Sequence, residues 1–173
     1  MLKQYTEALA DYEFVIQKGP SRYYGKALQK AAIIAYNFSQ DFTKAFDLYT
    51  QLEKAAQDDD TRFEAQLGAL RAAYRSNNSA AVLRLADAVA NHANSTDEQK
   101  AAARFYQGKV AFDQRDYDRA RTAFIQVVRL SDDEQTAEAR YLIAYIYYLQ
   151  RDLDTAQQLC LNANNESSNY PYW

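Results

Sequence analysis

The sequence predicts an all-α protein built as a solenoid of antiparallel helix pairs. Three observations carry that prediction. One pattern of apolar residues returns along the chain at a nearly constant period. Only 4 Gly and 2 Pro occur in 173 residues, too little turn punctuation for a sandwich or barrel. The hydrophobic fraction is 48%, enough to fill a core, and Ala and Leu supply strong helix formers.

The recurring pattern is a large apolar residue, an Ala, a bulky residue and a further apolar residue at spacing i, i+3, i+7, i+10. That spacing falls on one face of a helix. Its copies are Tyr5/Ala8/Tyr12/Val15, Phe42/Ala45/Tyr49/Leu52, Tyr117/Ala120/Phe124/Val127 and Leu153/Ala156/Cys160/Ala163. A fifth copy, Ser79/Val82/Ala86/Val89, keeps the spacing without the leading aromatic. Successive copies, measured at Ala8, Ala45, Val82, Ala120 and Ala156, lie 37, 37, 38 and 36 residues apart. A period in this range marks a helical solenoid.

Each of these helices after the first is preceded by another, read over Ala101–Phe112 and Ala137–Tyr148 for the last two. Gly108 and Ala144 each stand nine residues before the apolar residue that leads the next helix. Small residues there, facing Ala45, Ala120 or Ala156, let paired backbones approach closely. The turns within pairs read Ser39-Gln40-Asp41, Ser76–Ser79, Gln114-Arg115-Asp116 and Gln150-Arg151-Asp152. Those between pairs read Gly19-Pro20, Asp58–Thr61, Asn94–Asp97 and Ser131–Asp133. Asp, Ser and Thr before a helix are N-cap signals, and acidic residues there suit the helix dipole.

These signals divide the chain into 1–20, the second helix of a truncated repeat, then repeats over 21–57, 58–94 (degenerate), 95–132 and 133–168. Residues 169–173 open a further repeat, with Tyr170-Pro171-Tyr172-Trp173 as its start. The expectation is a fragment of a longer array, whose truncated ends offer surfaces for self-association.

The pattern resembles the tetratricopeptide repeat. Gly108, Tyr117, Ala120 and Phe124 match its small residue, aromatic, Ala and second aromatic. Tyr5, Ala8, Tyr12 and Pro20 match its second half with the terminal Pro. The family's Trp is missing from every first helix, and its Pro from the later repeats. The resemblance spans nearly the whole chain. It implies a right-handed superhelix that binds a protein or peptide on its concave surface, without catalysis and without a cofactor. Ala137–Tyr141 and Ala120–Val128 look like tetratricopeptide proteins of the bacterial cell envelope, including outer-membrane assembly lipoproteins. That likeness implies an envelope or periplasmic location, with the cytoplasm as the alternative. The alternative role is a structural or self-association spacer within a larger envelope protein.

Composition and motifs narrow the function classes. A net charge of -3 and a pI near 5.2, with Lys and Arg scattered singly, give no electrostatic footprint for nucleic acid. A helical-repeat nucleic-acid binder is therefore the third reading. No phosphate loop, dinucleotide fingerprint or nucleophile elbow occurs, so no enzyme is expected. Cys160 is the single Cys, which excludes a disulfide framework. It stands at a repeat core position and is expected to be a small buried hydrophobe. His92 has no companion ligand for a metal site. Asp58-Asp59-Asp60 reads as a solvated loop and cap. The longest apolar run, Tyr141–Leu149, is far short of the roughly 18 residues of a membrane span.

If the family geometry holds, the first helices present Asn37 and Phe38, then Arg71, Tyr74 and Arg75, then Phe105, Lys109, Phe112 and Asp113, then Tyr141, Tyr145 and Tyr148. The last three are spaced i, i+4, i+7 and form one stripe. Aromatics and Arg dominate binding hot spots. The opposite side of the same helix already carries Leu142, Ile143, Ala144, Ile146 and Tyr147 for packing. Lys30 occupies a place used by carboxylate-clamping relatives. Ile34 replaces the Asn that such a clamp needs, so that function is not carried over.

Overall fold

The structure is a computed structural model that describes residues 2–166. The segment Tyr170–Trp173, read above as the start of a further repeat, lies outside the described residues. Among those described there are nine helices: α1 Leu2–Gln17, α2 Tyr24–Asn37, α3 Phe42–Ala55, α4 Asp59–Arg75, α5 Ser79–Ala90, α6 Asp97–Asp113, α7 Tyr117–Leu130, α8 Glu134–Leu149 and α9 Leu153–Glu166. No strand occurs among the described residues. The leading residues Phe42, Ser79, Tyr117 and Leu153 each open a helix, as the repeat pattern predicts.

The starts are fixed by side chains. Asp41, Asp58, Thr96, Asp116 and Asp133 each accept a hydrogen bond from the amide three residues on. Asn78 and Asp152 do the same for Ala81 and Thr155, at 3.1 and 3.2 Å. Thr96 and Gln99 complete a reciprocal capping box. Helix α2 differs, since Tyr23 makes no side-chain cap bond.

The caps have a pH signature. Burial works against the charged Asp133 carboxylate. Hydrogen bonds from Thr136, Ser131 and Gln135 outweigh it and hold the pKa below the usual value. The backbone amide and hydroxyl of Thr61 lower that of Asp58. A depressed folded-state pKa means the stabilisation is complete above the unfolded value of about 3.9 and is lost as pH falls through the folded value. Thermal melts from pH 6 downward are expected to show a midpoint that drops most steeply below about pH 4. In Asp133→Ala, which loses the cap of α8, about 1 kcal/mol disappears at neutral pH and the acid slope shrinks.

Each turn within a pair passes through one left-handed residue. Gln40, Asn77, Arg115 and Arg151 have φ of 51, 57, 62 and 68°. The following amides of Asp41, Asn78, Asp116 and Asp152 reach back to the carbonyls of Ala35, Ala73, Ala111 and Tyr147 at 3.0, 2.8, 2.9 and 3.0 Å. The last three bonds span five residues, the Schellman closure, whose left-handed residue is ordinarily Gly, while that of Asp41 spans six. An L side chain there costs roughly 1–2 kcal/mol. Gly in its place relieves that strain but has more freedom to lose on folding. Arg115→Gly and Arg151→Gly are each expected to stabilise by about 0.5–1 kcal/mol net, read as higher urea midpoints. A lower midpoint would show that the Arg side chains contribute more than the strain costs.

The chain divides into two compact units, Met1–Leu85 and Ala86–Trp173, with the boundary inside α5. In the first unit α1 packs on α2, α2 on α3 and α3 on α4. Its core joins Leu28, Ala31, Ala32 and Ala35 of α2 to Ala45, Leu48 and Leu52 of α3. In the second, α6 packs on α7, α7 on α8 and α8 on α9. Its core joins Ala101 and Phe105 of α6, Ala120, Phe124 and Val127 of α7, and Ala139, Leu142 and Ile146 of α8. The degenerate copy on α5 still buries Val82, Leu85, Ala86 and Val89.

Close approach explains two glycines. A Cβ on Gly108 would lie 2.6 Å from the Phe124 ring, and one on Gly68 would lie 2.5 Å from the Tyr49 ring. The helix pair α6/α7 is thus built around an aromatic ring laid over bare backbone.

Candidate partner-binding surface

Helix α8 separates its residues by side. Leu142, Ile143 and Ile146 go into the core of the second unit. Tyr141, Tyr145 and Tyr148 form a ladder along another side. Tyr141 and Tyr145 stack with centroids 5.9 Å apart, and Tyr145 and Tyr148 with centroids 6.0 Å apart. Tyr141 is half-buried, Tyr145 is 36% exposed and Tyr148 is 53% exposed. From α6, Phe112 tilts against Tyr145 at 6.1 Å, and Tyr117 of α7 tilts against Phe112 at 5.8 Å. The result is a continuous aromatic ribbon across α6, α7 and α8. Beside it the Lys109 Nζ pairs with Glu138 at 2.8 Å, and Asp113 is exposed.

An open apolar pocket of about 360 Å³ adjoins the ladder. Tyr141, Ala144, Tyr145 and Tyr148 line it from α8, and Ala156 and Cys160 from α9. This corrects the expectation for Cys160, which is exposed rather than buried. The preceding pair gives the physical reason. Phe124, 36 residues earlier, fills the corresponding place with its ring and is fully buried under α8. A Cys side chain is too short to fill that volume. Ala144, opposite, also has the methyl that Gly108 lacks. The second pair has exchanged one large and one absent side chain for two small ones, and space is left over.

Phe105 requires a second correction. It was expected on the binding face, but it is 4% exposed and packs at 6.1 Å from the Phe124 ring. It is a core residue, because the large ring of Phe124 and helix α8 cover the position that Tyr141 holds half-open one repeat later.

The remaining predicted residues lie in the unit Met1–Leu85. Asn37 and Phe38 stand at the end of α2, and the Phe38 ring stacks on Tyr5 at 3.6 Å. On α4, Arg71 is exposed and Tyr74 is half-buried. The Arg75 guanidinium lies over the Phe42 ring at 4.4 Å. Sequence reasoning missed Leu153, an exposed apolar residue on the rim of the α8/α9 pocket.

Metal chemistry gains no support from the predicted acidic run. Asp58 caps α4, and Asp59 pairs with Arg62 at 3.6 Å. Among the described residues no cluster of three or more His, Cys, Asp or Glu could hold an ion. The His92 Nδ1 accepts from the Asn94 amide at 3.2 Å, a turn contact. No described helix is long and apolar enough to cross a membrane.

Residues 105–168 match the model of the tetratricopeptide repeat family. This segment is similar to tetratricopeptide repeats. The matched stretch holds Gly108, Tyr117, Ala120 and Phe124 as well as the Tyr ladder and its pocket. Tetratricopeptide repeats generally mediate protein–protein interaction. Over the whole chain the fold is similar to the crystal structure of BtubC (BKLC) from P. vanneervenii. That likeness has a TM-score of 0.65 and covers 99% of this chain and 74% of that one, at 15% identity. It establishes helical-repeat architecture well beyond the tetratricopeptide match. No curated protein matches the chain.

Proposed function

We propose that this chain is a non-catalytic protein-interaction scaffold, and that the Tyr141/Tyr145/Tyr148 ladder with the pocket beside Cys160 receives the partner. On this reading α2/α3, α4/α5, α6/α7 and α8/α9 are the repeat units over 21–57, 58–94, 95–132 and 133–168. The observation that carries it is the combination of stacked, solvent-facing Tyr rings with an unfilled apolar pocket. Tyr brings large rigid contact area at little entropic cost, and its hydroxyl tolerates a wet edge. Asn37, Phe38, Arg71, Tyr74 and Arg75 would extend recognition in the first unit, and Lys109, Phe112 and Asp113 in the second.

The test compares partner capture by the wild type, Tyr145→Ala/Tyr148→Ala and Cys160→Phe, after circular dichroism shows equal helicity. Loss of two hot-spot rings is expected to weaken the captured partner at least about 30-fold. Filling the pocket with Phe should also weaken it. Undiminished capture by both variants would assign the ladder to packing. Concentration-dependent dimerisation abolished by the same substitutions would favour the spacer reading.

A further inference from the structure

A cationic pocket lies among α3, α4 and α5 in the first unit. Thr50, Glu53 and Lys54 line it from α3, Arg62 from the first turn of α4 and Arg84 from the middle of α5. Its volume is about 440 Å³. That falls within the roughly 300–1,000 Å³ of ordinary ligand sites. Lys54, Arg62 and Arg84 are all exposed, and each comes from a different helix. None of these lining residues belongs to the predicted binding face.

The lining has donors to spare. Among the described residues neither Lys54 nor Arg84 makes an ion pair. The Arg62 Nη2 donates to the Ala56 carbonyl at 3.3 Å, which holds the guanidinium in place. Its Nη1 lies 3.6 Å from Asp59, whose side chain is 69% exposed, a surface pair of little strength. Glu53 is the one acid in the lining, and it accepts from the Gln66 amide at 2.9 Å. Three cations against one carboxylate reverse the sign of a chain whose net charge is -3. The Thr50 Oγ1 is buried and has no hydrogen-bond partner among the described residues. A buried hydroxyl left so is unfavourable, and a ligand oxygen accepting from it recovers that loss.

We infer that this pocket binds a phosphate monoester dianion, with Lys54, Arg62 and Arg84 as its cations and the Thr50 hydroxyl as a further donor. Phosphate carries up to two charges, and its oxygens point in several directions, which suits donors arriving from three helices. A carboxylate carries one charge and two oxygens in a plane, so it cannot meet all four groups at once. The same chemistry is offered by a phosphorylated side chain of another protein and by free phosphate. The site shares no residue with the Tyr ladder and stands whether or not that surface binds a partner.

Fluorescence anisotropy tests it with a fluorescein-labelled short peptide of glycine and alanine around one phosphoserine. Comparison peptides carry serine or glutamate at that place, and a single-stranded RNA of equal length is the fourth probe. The phosphopeptide should bind saturably and about tenfold or more tightly than either comparison peptide. Unlabelled inorganic phosphate should displace it. Displacement only at far higher concentration than by unlabelled phosphopeptide assigns the site to a phosphorylated side chain, and equal displacement assigns it to free phosphate. Arg62→Gln/Arg84→Gln should weaken binding about tenfold or more, and Lys54→Gln serves if that variant loses helicity. Glu53→Gln should tighten it. Thr50→Val should weaken binding about threefold to tenfold yet raise the urea midpoint of the free protein, because it removes a buried hydroxyl that has no partner. Tyr145→Ala/Tyr148→Ala should leave binding unchanged. No saturable binding, glutamate bound as tightly as phosphoserine, affinity unchanged by the arginine or Thr50 variants, or RNA bound more tightly than the phosphopeptide would each overturn the assignment.

Discussion

Truncating Phe124 to alanine is expected to lower the unfolding free energy by roughly 3–5 kcal/mol, the largest effect of any single change considered. The ring is fully buried and lies over the bare backbone of Gly108. Its other neighbours include Phe105 at 6.1 Å. Because Gly108 has no side chain to move into the vacated space, the hole can close only by bringing helices together. That places the cost toward the upper part of the range for cavity formation. The corresponding substitution one repeat later, Cys160→Ala, removes an exposed thiol and is expected to cost less than about 1 kcal/mol. Urea denaturation of both variants measures the contrast as a shift in midpoint at unchanged slope. Similar losses at the two positions would refute the view that the pocket beside Cys160 is open.

The second large effect is overpacking at the same helix pair. Ala120 is fully buried against α6, and Ala120→Leu is expected to destabilise by about 1–3 kcal/mol. Gly108→Ala pushes a methyl to 2.6 Å from the Phe124 ring. Its cost is partly offset by the roughly 1 kcal/mol gained when Ala replaces Gly inside a helix. The sharper test is a cycle. Gly108→Ala/Phe124→Cys recreates the Ala144/Cys160 arrangement, so the double variant should be more stable than the two single losses added together. Double-mutant coupling between contacting residues is typically 0.5–3 kcal/mol, and strict additivity here would sink the size-compensation argument.

The helix pairs could be read from the sequence because the repeat marks both faces and boundaries at once. Apolar spacing gave the buried side of α3 and α7, and Asp41, Asp58, Asp116 and Asp133 marked where helices begin. The state of individual positions on those faces was harder to read. Phe105 and Tyr141 are separated by one period, yet one is covered and the other half-open. The difference lies in the size of a residue on another helix, Phe124 against Cys160, which periodicity does not report. Gly68 was silent for a related reason. It owes its place to the Tyr49 ring from the preceding pair, a contact between repeats rather than within one.

Cys160 also gives the chain its own reporter. It is the sole thiol, it is exposed, and it opens into the pocket beside the Tyr ladder. Alkylation therefore modifies a single position, and its rate reads the occupancy of that pocket without any engineered label. A bound partner that seats there slows the reaction, one that docks on the first unit leaves it untouched, and a dye attached at the sulfur reports on the Tyr rings around it.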